Sequence, residues 1–138
     1  MIHLVIPGPP PTKNSSRRTF VAPGQTVGRS ILSKRARTWR AHLLDAWIAS
    51  GQAGIATGTW CLHVRVFHSR RRTPKSLPGT DGTVADIDCD AALESIADAL
   101  EHCGCLDNDA RIVALTATKH WCKDKPRTEI KLEPWESK

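Results

Sequence analysis

Trp60, Leu62, Val64 and Val66 alternate with Cys61, His63, Arg65 and Phe67. An extended strand sends alternate side chains to opposite faces, so this run predicts a sheet with an apolar side that other elements must cover. Residues 2–6 read as a second strand, stopped by Pro7-Gly8-Pro9-Pro10-Pro11. Two more strands fit 111–119 and 127–132, divided by the turn-like Lys123-Asp124-Lys125-Pro126, and 19–21 fits a short one. The cover comes from two helical stretches. Over 34–49, Ser33 is placed to cap, Gly51 to terminate, and Ala36, Trp39, Leu43, Leu44, Trp47 and Ile48 follow helical spacing. Over 90–102, Leu93, Ile96, Ala97 and Leu100 share a face and Gly104 terminates. The order β-(β)-α-β-α-β-β predicts an α+β fold, a mixed β-sheet with two main helices packed on it. With 138 residues and no internal repeat or long linker, 1–138 is expected to form a single domain.

Charge divides the chain unevenly. Residues 1–75 hold thirteen Lys/Arg against Asp45 alone, a net of +12, whereas 76–138 hold seven against thirteen acids, a net of −6. A basic half suits a polyanion, whose condensed counterions are released when its phosphates are neutralised; solvated surface charge is the plainer alternative. The basic groups fall at Lys13, Arg17 and Arg18, at Lys34, Arg35, Arg37 and Arg40, and at Arg70, Arg71, Arg72 and Lys75. The last group and the Pro/Gly/Thr-rich stretch after it read as a mobile basic loop. No apolar run is long enough to span a bilayer, and the opening Met-Ile-His-Leu-Val-Ile-Pro is too short for a signal peptide. Five cysteines, an odd number, fit free thiols in a reducing cytoplasmic setting.

The acidic half concentrates Asp88-Cys89-Asp90 at the start of the second helix and Asp107-Asn108-Asp109 beyond its end. A helix N-terminus favours ionised carboxylates, and a hairpin-like return would bring Asp109 back toward the pair. Three converging carboxylates repel one another, and a metal relieves that repulsion. Magnesium, a hard cation that takes oxygen ligands and leaves room for phosphate, is the natural candidate. Ordinary capping and loop roles explain the same aspartates equally simply. His102, Cys103 and Cys105, with Cys89, His120 and Cys122 elsewhere, supply zinc-type donors but lack paired spacing; Cys103 and Cys105 are expected as small buried hydrophobes. Trp39 and Trp47, eight residues apart on the apolar stripe, are expected in the core, while Trp121 and Trp135 suit base stacking, packing or a dimer contact.

The run from Asp88 and Asp90 through Glu94, Asp98-Ala-Leu100 and Asn108-Asp109-Ala-Arg-Ile112 to Lys119 resembles the RusA-type Holliday junction resolvases. Their pattern is D-x-D-N-x-x-K-x-x-x-D-A-L, then D-D-x-Q-[IV], a later lysine and a closing P-x-x-x-[IV]-x-[IV] strand. Ile6-Pro7-Gly8-Pro9-Pro10 and Pro126 to Leu132 also fit, so the likeness covers nearly the whole chain. It implies catalytic and metal-binding roles for Asp88, Asp90 and Asp109, a catalytic role for Lys119, Mg2+ as cofactor, and a homodimer acting on four-way DNA junctions in recombination, repair or phage DNA maturation. Ala91 stands for the usual Asn, Asn108 for the first Asp of the D-D pair, and Glu94 for the expected lysine. Glu94 is then a possible additional acid at the metal. The dimer is expected to pair through the edge strand at 127–132 or the strand at 1–6. A nuclease for flaps or other branched DNA, and a branched-DNA-binding protein weakened in catalysis by Glu94, are the alternatives.

Overall fold

The computed structural model describes residues 1–11, 17–20, 29–52, 54–68, 89–122 and 125–136. Strands β1 (Ile2–Pro7), β4 (Trp60–His68), β5 (Ile112–Trp121) and β6 (Arg127–Pro134) form a mixed four-stranded sheet in the order β1-β6-β4-β5. β6 runs antiparallel to both β1 and β4, and β5 runs parallel to β4. A parallel pair cannot be joined by a hairpin. The connection from β4 to β5 accordingly carries helix α2 (Cys89–His102) and a 3-10 turn, Asp109–Arg111. Helix α1 (Lys34–Ala49) precedes β4, and a small antiparallel pair, β2 (Arg17–Phe20) with β3 (Arg29–Leu32), forms a separate sheet.

Register aligns the apolar row read from β4. Leu62 pairs with Leu132, and Val64 with Ile130, which also pairs with Leu4. These residues join Trp39, Leu43 and Trp47 of α1 and Ala92, Ile96 and Leu100 of α2 in one core. Both helices therefore cover the same sheet face. The other face carries His63, Arg65, Glu129, Lys131 and Glu133, crossed by ion pairs such as Lys131 to Glu133 at 2.8 Å. Phe67, the one buried side chain on that face among the described residues, stacks on His120 with centroids 4.9 Å apart and lies beneath the Arg127 guanidinium at 3.9 Å.

Three expectations need correction. Where a single short strand was expected at 19–21, there are two, β2 and β3, and the four residues of β3 are held by pairing with β2 rather than by a periodicity of their own. Leu44 and Ile48 lie outside the core, 40% and 63% exposed, because the contact face of α1 is narrowed to Ala36, Trp39, Leu43 and Trp47. Finally, the 127–132 strand is not an edge. β6 hydrogen-bonds on both sides, leaving β1 and β5 as the edges of this sheet among the described residues.

Candidate active site

Ser33 caps α1, its hydroxyl oxygen accepting from the Ala36 N–H at 3.2 Å. The first turn of α1 then presents Lys34, Arg35 and Arg37 to solvent with no acid among them. These cations oppose the helix dipole, so an anion bound here would be stabilised by side chains and backbone together. Beside them Pro7, Pro9, Thr38, Trp39 and His42 help line a cavity of about 530 Å³. Arg17 and Arg18 lie on the backbone of β2. Lys13, Arg70, Arg71, Arg72, Lys75 and Asp88 fall outside the described residues.

The backbone of Asp90 lies in the first turn of α2, where N–H groups have no intrahelical acceptor and favour negative charge. Glu94 follows one turn later and is exposed. Asp98, a further turn on, is taken by structure: it accepts from Arg40 Nη2 at 3.0 Å and lies 3.2 Å from His102 Nδ1. The acidic stripe is thus neutralised at its far end by α1. Nothing in the sequence spacing marked that partner, 58 residues away.

At the C-terminus of α2 the chain turns tightly. Gly104 adopts φ 75°, a left-handed conformation costly for residues with a Cβ, and the N–H groups of Cys105 and Leu106 both donate to the Leu100 carbonyl. Leu106 bridges to Ala56, just before β4. Asn108 then caps the 3-10 turn, its side-chain oxygen accepting from Ala110 N–H at 2.8 Å. That is a role an amide fills as well as a carboxylate, so Asn suits this position. Asp109 opens the turn and is exposed, and Arg111 grips Asp107 with two 2.8 Å bonds that hold the Asp107 carboxyl below its ordinary range.

The two ends of α2 belong to opposite ends of the sheet. The Ser95 hydroxyl donates to the Pro11 carbonyl; nearby Gly8 bonds Pro126 and Thr128, and Thr128 pairs with Val66, the partner of Lys119. The start of α2 and half-buried Lys119 therefore share one end, and register with Val66 puts Lys119 on the helix-covered face. Asp109 leads instead into Ile112, the partner of Trp60 at the opposite end. From Asp90 to His102 the helix alone rises about 18 Å. Among the described residues no three His, Cys, Asp or Glu side chains converge as metal ligands. Of the thiols, Cys105 is buried in the core and the Cys103 thiol faces the Arg40 carbonyl at 3.8 Å. Trp39 and Trp47 are core residues as expected, whereas Trp135 is 46% exposed.

A family model described as Endodeoxyribonuclease RusA matches residues 7–133. No curated protein matches the chain.

Proposed function

Because the chain belongs to the RusA endodeoxyribonuclease family, we propose that it is a magnesium-dependent nuclease that resolves four-way DNA junctions by paired, symmetric nicks. The observation that carries this reading is the family match over 7–133, within which the acid spacing from Asp88 through Asp109 to Lys119 runs without a gap. Asp88, Asp90 and Asp109 are the proposed metal ligands, and their carboxylate oxygens are the donors a hard cation takes. When bound, magnesium supplies an activated water and neutralises charge on the leaving oxygen.

The remaining work falls to the chain. Lys119, at the same end as the start of α2, is suited to balance charge at the scissile phosphate. Exposed Arg35 and Arg37, with Lys13, Arg17, Arg18, Arg70, Arg71, Arg72 and Lys75, would contact phosphates and fix the register of the DNA. Two sites related by a two-fold axis in a homodimer match two symmetric nicks. No described helix is long and apolar enough to cross a membrane, and we place the enzyme in the cytoplasm, serving recombination, repair or phage DNA maturation.

A second reading rests on Glu94, exposed where the family pattern carries lysine. In that reading the protein holds branched DNA and cuts weakly, or cuts flaps. Labelled four-way junctions, flaps and linear duplexes, incubated with and without magnesium, separate these readings. Paired nicks in the four-way junction are expected, abolished by Asp90→Asn or Asp109→Asn with binding retained, since removing negative charge near phosphate does not weaken the grip. Binding without cutting by the wild type would reject the nuclease.

A further inference from the structure

Lys34, Thr38 and His42 follow one another at four-residue spacing along α1, with Arg35 and Trp39 on the adjoining ridge, so the five share one side of the helix. Together with Pro7 and Pro9 they line the cavity of about 530 Å³. We propose that this cavity takes one unstacked nucleotide of the bound DNA, its base against Trp39 and the proline rings and its phosphate on Lys34 and Arg35. The inference rests on the DNA-binding reading above and names a subsite within it.

The size and lining suit such a guest. Cavities of roughly 300–1,000 Å³ hold small organic ligands, mostly on apolar surface, with a few polar groups to orient them. Trp39 is buried and forms an aromatic floor, while the exposed Thr38 hydroxyl and His42 ring offer hydrogen bonds to a base edge. The indole N–H of Trp39 has no acceptor among the described residues. A buried donor left unpaired is costly, and it marks an incomplete network in the cavity wall. The second such donor, on Trp60, lies outside the lining.

Charge narrows the class of ligand further. No carboxylate lines the cavity, and the first turn of α1 contains no acid, so a phosphate there meets cations alone. A bare phosphate would leave the apolar walls empty, and an apolar guest would leave Lys34 and Arg35 unused. A nucleotide engages both.

The proline wall is also held in place. Gly8 turns the chain between the two prolines at φ 81°, a conformation open to glycine. Its N–H donates to the Pro126 carbonyl at 2.8 Å, and its carbonyl accepts from the Thr128 hydroxyl at 2.8 Å. A preformed wall spends little free energy on ordering when a guest enters. The same segment continues to Pro11, whose carbonyl accepts from Ser95 of α2, so the cavity lies at the end of the sheet where α2 begins. A base stacked and paired in duplex cannot enter it. Unstacking costs least where pairing is already interrupted, so a branch point supplies the guest more readily than a linear duplex.

Two measurements on the full-length protein test the assignment. Indole N–H signals are followed by NMR, with that of Trp39 identified through Trp39→Phe. A deoxynucleoside monophosphate should shift the Trp39 signal, and inorganic phosphate at the same concentration should not. Equal shifts from both would mean an anion site without a base and would overturn the proposal. Four-way junctions carrying 5-iododeoxyuridine at each branch-point position in turn are then irradiated on the protein without divalent metal. One position should crosslink to Trp39 or His42, mapped by mass spectrometry, and a matched linear duplex should not. A Trp39 shift with the mononucleotide but no crosslink in the cavity would assign it to free nucleotides and overturn the DNA source. Thr38→Phe, at an exposed helical position, fills the cavity while keeping Lys34 and Arg35. It should keep its circular dichroism and lose both the nucleotide-induced shift and the crosslink; retention of both also overturns the proposal. A wild type that crosslinks in the cavity yet never cuts DNA would sink the nuclease reading alone, and one that cuts junctions without the crosslink would sink this inference alone.

Discussion

Arg40 of α1 and Asp98 of α2 join the two helices through a 3.0 Å ion pair, with the Arg40 side chain 15% exposed and Asp98 48%. The same arginine supplies the carbonyl that the Cys103 thiol meets, so one residue of α1 holds both the last turns of α2 and the residue just past its end. A hydrogen bond to a charged group in water-accessible surroundings stabilises by about 1 kcal/mol after screening. Asp98→Asn should therefore lower stability by about that amount in urea unfolding, with Arg40→Ala costing more because its stem is packed. A double-mutant cycle showing no coupling would show that the pair holds nothing.

The pair also bears on Glu94. Asp90, Glu94 and Asp98 are spaced four apart, and like charges at that spacing destabilise a helix by a few tenths of a kcal/mol each. Arg40 and His102 relieve the Asp98 end. Glu94→Lys is expected to raise single-turnover cleavage at low magnesium, by adding a cation near the scissile phosphate. A magnesium titration of both proteins decides it; lost activity in the variant would mean that Glu94 is itself a ligand.

The grip on DNA is expected to be electrostatic and to reside in the basic half. Neutralising Arg70, Arg71 and Arg72 together should weaken junction binding and flatten its salt dependence by up to about 0.9 in log–log slope per lost phosphate contact. An unchanged slope would remove this segment from the interface.

Much of the fold was legible where the signal is local. The bounds of α1 follow from its Ser33 cap and following stripe, and the end of α2 from Gly104 with its left-handed φ. Strand order was not legible. β6 sits between β1 and β4 because Thr128, Ile130 and Leu132 match rows on both neighbours, a fact about pairing between distant segments. The same limit governs the site. Spacing proposes Asp90 and Asp109 as ligands, while the tight turn at 103–106 and its bridge to Ala56 set where Asp109 lies, at the far end of α2 from Asp90. Leu44 and Ile48 follow the helical period yet stay exposed, since periodicity marks a stripe and not its width.

Burial, reinforced by the neighbouring Cys103 sulfur, pushes the Cys105 thiol from an ordinary value of 9.0 up to about 12. The folded state thus holds this proton more tightly than the unfolded chain. Its contribution to stability is complete below pH 9 and declines as pH rises toward 12. Melting curves at mildly alkaline and strongly alkaline pH should show a smaller loss for Cys105→Val than for the wild type. At neutral pH, Cys105 should react with maleimide more slowly than half-exposed Cys61; equal rates would contradict the burial.

Ile2 is paired with Leu132 and Pro7 with Arg127. β1 thus gains its sheet partner from a segment remote in sequence, and that partner also pairs with β4. On the ribosome, residues 2–7 must wait for their strand partner until 127–134 have emerged, so the sheet closes only after that segment is available. Such a topology folds slowly for its length because its pairings are remote in sequence, and a chain interrupted before residue 127 would lose the sheet's middle rather than its margin.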